Sequence, residues 1–346
     1  MLKVTLFIVV LLVIAIAIAV HERPRDCLDS EPFIWRPKRP VRFSESQAGL
    51  AGAYDVALLF GRLGWCEGEF QGPFGIRVGP DRNLYVADDL AHRISVFDAE
   101  GQFLRSLGCR GSGPGEVLYV DAVNFGLGGE LYVADTGANR IQVWDAAGGY
   151  KREFGRHPQE RGTPLKNPRD IVIDERGLSY VADFNGNRVQ IYDGRGRFVR
   201  AMTGFDGPIQ LCLTRGGLLY ISEMHAHRIQ VRTVNGAVVR SFGEEGDRLG
   251  QLRSPHGLAF GPGDFLYVAD YGNHRIHVFH EDGRPAGILG QRGTSPGFLQ
   301  HPTTVCFGSE GRLYVVDKGN HRIQAWNVYI DGVDSNENVS RSGIEY

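Results

Sequence analysis

Beyond residue 50, apolar positions fall in short runs rich in Val, Ile and Tyr, each bounded by Gly, Asp or Asn, and no helical stripe is sustained. That pattern predicts strands joined by turns. Its most legible stretch is Leu266–Arg275, LYVADYGNHR, which recurs in six versions opening at Leu84-Tyr85, Leu131-Tyr132, Ser179-Tyr180, Leu219-Tyr220, Leu266-Tyr267 and Leu313-Tyr314. An arginine stands eight residues after each tyrosine, at Arg93, Arg140, Arg188, Arg228, Arg275 and Arg322, with intervals of 47, 48, 40, 47 and 47 residues. Such spacing belongs to a repeat architecture. In the fifth repeat the runs His256–Phe260, Phe265–Ala269, Arg275–Phe279 and Pro285–Leu289 predict four antiparallel strands. Six such units predict an all-β, six-bladed propeller whose blades bury their faces against their neighbours.

The two ends of the repeated region test that architecture. The last repeat stops after Arg322–Trp326 without a fourth strand, whereas the first is preceded by a spare one, Asp55–Phe60. The early strand is therefore expected to complete the sixth blade and close the ring, removing two open sheet edges. Only 40 residues separate Arg188 from Arg228, so the loop entering blade four is expected to be small. The loops entering blades two, three and five, Cys109–Glu116, Arg156–Asn167 and Glu244–Arg253, are longer, which predicts an uneven rim suited to recognition.

The amino end has a different character. Val4 to Val20 is an almost unbroken apolar run, about 26 Å long as a helix, close to the lower limit for crossing a bilayer. Residues 1–20 are expected to form one transmembrane signal-anchor helix that meets membrane lipid through residues 4–20. Ala17-Ile18-Ala19 keeps a cleaved secretory signal as the alternative, which would leave a secreted or periplasmic body. The short leading tail favours an extracytoplasmic propeller, while Arg23, Arg25, Arg36, Lys38, Arg39 and Arg42 argue for the opposite orientation. The chain thus divides into the anchor, a polar linker over 21–54, a propeller over 55–327 and a polar tail over 328–346.

The repeat resembles that of the NHL family, on Gly272-Asn273-His274-Arg275-Ile276 and Gly319-Asn320-His321-Arg322-Ile323. Both copies carry Arg where the family's name has Leu. The resemblance implies a six-bladed propeller and leaves the activity open, because related propellers include peptidyl-hydroxyglycine amidating lyases, calcium-dependent lactonases, strictosidine-synthase-like enzymes and RNA-binding modules. Pro255-His256-Gly257-Leu258 resembles one histidine motif of the amidating lyases. The comparable positions of the other blades hold no histidine, so the zinc set of that enzyme is not expected.

Those positions are the ones at which the repeats differ most: Phe74, Asp121, Arg169, Ile209, His256 and Thr303, near the start of the innermost strands. A ligand site at this channel mouth would use Phe74, Asp121, Arg169, His256 and Thr303, with Asp170 adding charge and a small anion or polar peptide group as the occupant. The alternative is a water-filled channel lined by solvated side chains. The acidic residues Asp88, Asp135, Asp183, Glu223, Asp270 and Asp317 precede the repeat arginines by five and are expected to pair with them. The repeat tyrosines are expected to pack with satisfied hydroxyls.

Composition narrows the classes further. A formal charge of −2 and only local basic groups, such as Lys151-Arg152, argue against nucleic acid as a partner. Five cysteines, Cys27, Cys66, Cys109, Cys212 and Cys306, are too scattered for a disulfide scaffold or a zinc module; a bridge between Cys66 and Cys109 is considered, and Cys212 and Cys306 are expected to pack within strands. Neither His225 with His227 nor His277 with His280 has a third ligand, so no metal, cofactor or catalytic residue is assigned. The reading is a membrane-tethered, non-enzymatic protein-binding or assembly module with a protein or peptide partner at the rim; the alternative is a channel-mouth hydrolase or lyase, with RNA binding third.

Overall fold

The computed structural model describes residues 33–38, 42–44, 52–156 and 162–330. The proposed anchor, most of the linker and the tail beyond 330 lie outside the described residues. Among the described residues no helix is long and apolar enough to cross a membrane.

Six antiparallel sheets are arranged in one ring. Blade five comprises Pro255–Gly261, Phe265–Asp270, Arg275–Phe279 and Pro285–Leu289, in that order from the centre outwards. The other innermost strands are Pro73–Val78, Val120–Phe125, Pro168–Ile173, Pro208–Leu213 and Pro302–Phe307. Closure follows the expected route. Gly52–Phe60 pairs antiparallel with Arg322–Ile330, with Phe60 opposite Ile323 and Gly52 opposite Ile330.

Short strands with apolar residues on both faces bury themselves only when sheets stack, and the core is accordingly six clusters, each shared by two neighbouring blades. Trp144 and Trp326 are fully buried. The Trp326 ring stacks on Tyr54 at 4.5 Å, so the closing strand is held by packing as well as by its hydrogen-bond ladder. At ~25 cal/mol per Å² over roughly 200 Å², burying one such indole contributes about 5 kcal/mol before entropic costs.

Blade six carries more than the sequence suggests. Ile34–Trp35 and Arg42–Ser44 both pair with Gly52–Phe60 on its outer side. Trp35 packs half-buried against the cluster containing Tyr54 and Trp326.

Each repeat acid and arginine form a joint that ties the incoming loop to its blade. The acid accepts the N–H of the residue seventeen positions earlier, as Asp135 does from Leu118 (2.8 Å), Asp270 from Arg253 (2.7 Å) and Asp317 from Gln300 (2.7 Å). The arginine bonds the acid and then reaches loop carbonyls: Arg275 Nε donates to Asp270 at 2.8 Å, and its terminal nitrogens donate to the carbonyls of Asp247, Arg248 and Gln251. Direct ion pairs join Asp135–Arg140, Asp183–Arg188, Glu223–Arg228, Asp270–Arg275 and Asp317–Arg322. Blade one departs from the expected pairing. Arg93 spends its guanidinium on the carbonyls of Trp65, Cys66 and Glu69, while Asp88 accepts the N–H groups of Gln71, Gly72 and Ala91.

The same joints account for the cysteines. The loops holding Cys66 and Cys109 are fastened each to its own blade, the first at Cys66 O by Arg93 (2.9 Å) and the second at the carbonyls of Gly113 (2.9 Å) and Glu116 (2.8 Å) by Arg140. Cys66 is disulfide-bonded but Cys109 is free, so the bridge considered between them does not form.

A second joint links neighbouring blades. The residue before each repeat arginine, His92, Asn139, Asn187, His227, His274 or His321, adopts a left-handed conformation with φ between 50° and 54° in five copies and 57° in His274. Asn tolerates this region better than most side chains, and both Asn and His carry an acceptor. Asn139 Oδ1 accepts the Asn167 N–H (2.6 Å), Asn187 Oδ1 that of Gly207 (2.9 Å), His227 Nδ1 that of Ser254 (2.9 Å) and His274 Nδ1 that of His301 (3.1 Å). His321 Nδ1 instead lies 3.0 Å from the Gln71 carbonyl, to which it must donate.

Candidate functional site

The inner strands start at one face of the ring, and the six variable positions come from their second residues. A bulge after the first residue of each strand shifts the register there, as between Pro73 and Gly75. The side chains consequently meet over the channel rather than continuing the ladder's alternation.

Arg169 spans this mouth. Its Nη1 donates to Asp121 at 2.8 Å and its Nε to Asn167 Oδ1 at 3.0 Å, while the guanidinium lies over the rings of Phe74 (5.5 Å) and Phe184 (5.1 Å). Lys318 also lies over the Phe74 ring at 4.5 Å and pairs with Asp89 at 2.9 Å. His256 stacks on Tyr271 at 4.3 Å and tilts against Phe74 at 5.9 Å. The Thr303 and Thr304 hydroxyls both donate to the Phe74 carbonyl at 2.7 Å. The structure thus brings Phe74, Asp121, Arg169 and His256 together around one aromatic ring; Thr303 serves backbone, and Ile209 adds only apolar surface.

Instead of solvated channel walls, the mouth is a packed plug: Phe74, Asp121, Ile209, His256 and Thr303 are all buried. Burial pushes the Asp121 carboxyl up to about 6 against the pull of Arg169, and pushes His256 down to about 3. His256 Nδ1 lies 2.9 Å from the Ser254 carbonyl, which fixes its proton there and leaves Nε2 as the basic nitrogen. Sequence comparison of single positions missed Lys318, Asp89, Tyr271 and Phe184, which come from the turns after the second strands. The signal was their proximity to the repeat acids, which the joints draw over the mouth.

Three of the histidines weighed as metal ligands have other contacts. His225 faces Asp206 at 3.3 Å and the edge of Phe184, and His227 is an inter-blade acceptor. His277 is fully buried and accepts the Gly250 N–H at Nε2 (3.1 Å). Among the described residues no group of three or more His, Cys, Asp or Glu side chains is placed to hold a metal.

The opposite end of the channel is open. A cavity of about 770 Å³ enters there between all six inner strands, with Arg77 among its lining residues.

This fold and site define the class: a closed six-bladed β-propeller with polar joints between repeats. The NHL repeat model matches residues 252–279 and 299–326, and a model described as a 6-bladed beta-propeller matches 76–159. The chain therefore carries NHL repeats in a six-bladed propeller. It is similar to Protein brain tumor of Drosophila melanogaster, 28% identical over 119 residues, which is 34% of this chain and 11% of that protein. It is also similar to the B-box type zinc finger protein ncl-1 of Caenorhabditis elegans, 48% identical over 44 residues, 13% of this chain and 5% of that one. The matches thus span only a small part of either relative. Among solved structures, a gluconolactonase from Xanthomonas campestris superposes with a TM-score of 0.60 at 17% identity, over 87% of this chain and 96% of that one. A catalytically inactive virginiamycin B lyase from Staphylococcus aureus with Quinupristin gives 0.56 at 17%, over 88% and 90%. At such identities the likeness is one of fold.

Proposed function

We propose that this propeller is a non-enzymatic recognition module, tethered to a membrane through residues 4–20 with its body outside the cytoplasm, and that it engages a protein partner at the rim over blades one and two. The observation that carries this reading is an arc of exposed large apolar side chains on the mouth face. Leu63 and Trp65 in the loop entering blade one, Leu90 in the turn after its second strand and Tyr119 entering blade two are 60%, 57%, 47% and 48% exposed. The loops carrying them are rigid, because Arg93 holds the Trp65 carbonyl and the Tyr119 ring packs on His92 at 5.2 Å. Aromatic anchors held in position before binding lose little entropy when a partner covers them. The disulfide at Cys66 supports an oxidising compartment.

Purification of the full chain from native membranes under mild conditions tests the proposal. A protein partner should accompany the unaltered chain and be lost from a Trp65→Asp, Leu90→Asp variant whose melting temperature is unchanged. Recovery of both as free monomers refutes the assembly role. One observation favours a second reading, a hydrolase or lyase at the mouth: the fixed His256 tautomer leaves Nε2 as a base at the same mouth to which the protonatable Asp121 belongs. Turnover in a screen that disappears in both Asp121→Asn and His256→Ala variants would favour it, and unchanged turnover in both would end it.

A further inference from the structure

The channel floor has its own chemistry, independent of the rim. Each inner strand contributes its fifth residue to a ring that lines the cavity: Arg77, Asn124, Val172, Cys212, Ala259 and Cys306. One member is charged. Nearer the opening the sixth residues form an apolar collar of Val78, Phe125, Ile173, Leu213, Phe260 and Phe307. A ligand entering from solvent passes the charged turn residues Asp174, Glu175, Arg176, Arg215, Asp264 and Glu281 and then the collar before it meets Arg77.

Arg77 is under-used where it stands. Its nearest acid is Asp170, with Nη2 to Oδ1 at 3.8 Å, an ion pair beyond hydrogen-bond distance. Among the described residues its buried Nε has no hydrogen-bond partner, and neither has Asp170 Oδ1, while Asp170 Oδ2 is taken by the Leu211 N–H at 2.9 Å. The guanidinium lies near enough to Asp170, Cys212 and Cys306 to oppose the upward push of burial on all three. The Arg77 side chain reaches from the inner strand of blade one to within 3.8 Å of Asp170 on the inner strand of blade three. A planar fork of donors at the end of an apolar passage matches a planar acceptor on an apolar body.

We propose that this cavity binds an amphipathic organic carboxylate, its apolar part in the collar and its carboxylate on the Arg77 fork. The volume lies within the range of small-molecule sites, whose walls are mainly apolar with a few polar groups that fix orientation. A monoanion suits the site better than a phosphate dianion because the Asp170 carboxylate lies 3.8 Å from the guanidinium. The rim partner and this ligand occupy opposite faces, so either assignment can fail without the other.

Titration of the full chain with octanoate, 1-octanol and octyl phosphate, followed by calorimetry, tests the assignment. Octanoate should bind more tightly than either alternative, and Arg77→Met should weaken it by about tenfold or more, the loss expected of a charge-assisted hydrogen bond, while leaving 1-octanol unchanged. Ala259→Trp should abolish binding of all three by filling the ring. In the unaltered protein, octanoate should slow alkylation of Cys212, a readout that needs no variant. Equal binding of octanoate and octanol, tighter binding of octyl phosphate, or unprotected Cys212 would each overturn the proposal.

Discussion

Replacing His277 with Gln should make the protein more stable, and by an amount that grows as pH falls. The third strands of blades two, three, four and six carry Gln142, Gln190, Gln230 and Gln324 at this position. Gln324 shows what the amide does: Nε2 donates to Asp317 (3.0 Å) and to the Phe298 carbonyl (2.7 Å), while Oε1 accepts the Gly297 N–H (2.9 Å). His277 keeps the acceptor role toward Gly250 but has no such donor to Asp270, and its Nδ1 faces Arg275 Nη2 at 3.5 Å. Restoring the donor is worth about 1 kcal/mol at neutral pH. Burial also pushes His277 down to about 3 from 6.5. The unfolded chain therefore takes up a proton near 6.5 that the folded protein refuses until about 3, so this histidine's penalty is absent above that window and accumulates as pH falls through it. At pH 5 the deficit is about 2 kcal/mol. His256 adds a penalty of the same sign, whereas Asp121 and Asp170, raised to about 6, favour the folded state as pH falls from 6 toward 4. The difference between variant and parent cancels those contributions. Urea titrations at pH 7.5 and 5.0 should show the advantage of His277→Gln rising from about 1 to about 3 kcal/mol. Parallel pH profiles, or a less stable variant at both values, would refute the account.

Asp270→Ala strands the buried Arg275 guanidinium and should cost about 3–5 kcal/mol in urea unfolding. Tyr54→Ala removes the ring stacked on Trp326 and the hydroxyl bond to the Gly297 carbonyl; calorimetry should register a loss of about 3–5 kcal/mol. Asn187→His should be nearly neutral, since histidine fills the same left-handed position in other blades, whereas Asn187→Ala should cost about 1–3 kcal/mol by thermal melting, through the lost acceptor and a strained backbone.

The fold was legible because it repeats. Strand periodicity, the acid five residues before each arginine and the offset between Asp55–Phe60 and Arg322–Trp326 each point to the same closed ring, and the observed pairing of Phe60 with Ile323 follows from them. What the acids and arginines accomplish was less visible. Their main partners are loop backbone atoms, which leave no side-chain signature, and Arg93 shows that the pairing within a blade can lapse while the hold on the loop persists. Ile34–Trp35 and Arg42–Ser44 escaped notice because two or three residues cannot display a period. Their pairing depends on the exposed edge that Gly52–Phe60 offers.

For the mouth, counting back from the repeat tyrosine identified Phe74, Asp121, Arg169 and His256 but left a ligand site and a water-filled channel both open. The outcome is a packed plug because turn residues such as Lys318 and Tyr271 pack against Phe74 and His256, and those turns are aligned in space rather than in sequence spacing. The floor ring around Arg77 was overlooked for a simpler reason. It lies three residues further along each inner strand, where four of the six blades carry Val, Ala or Cys, which read as ordinary packing.

Because Gly52 and Ile330 are opposite each other across the closing pair, the ring has a seam, and the backbone enters and leaves at one place on its circumference. A short connector there would permit the polypeptide to be cut at any other blade junction with the same sheets re-forming in a new order. Force applied at both positions would peel this seam one residue pair at a time, while the five hairpin-built blades remained intact.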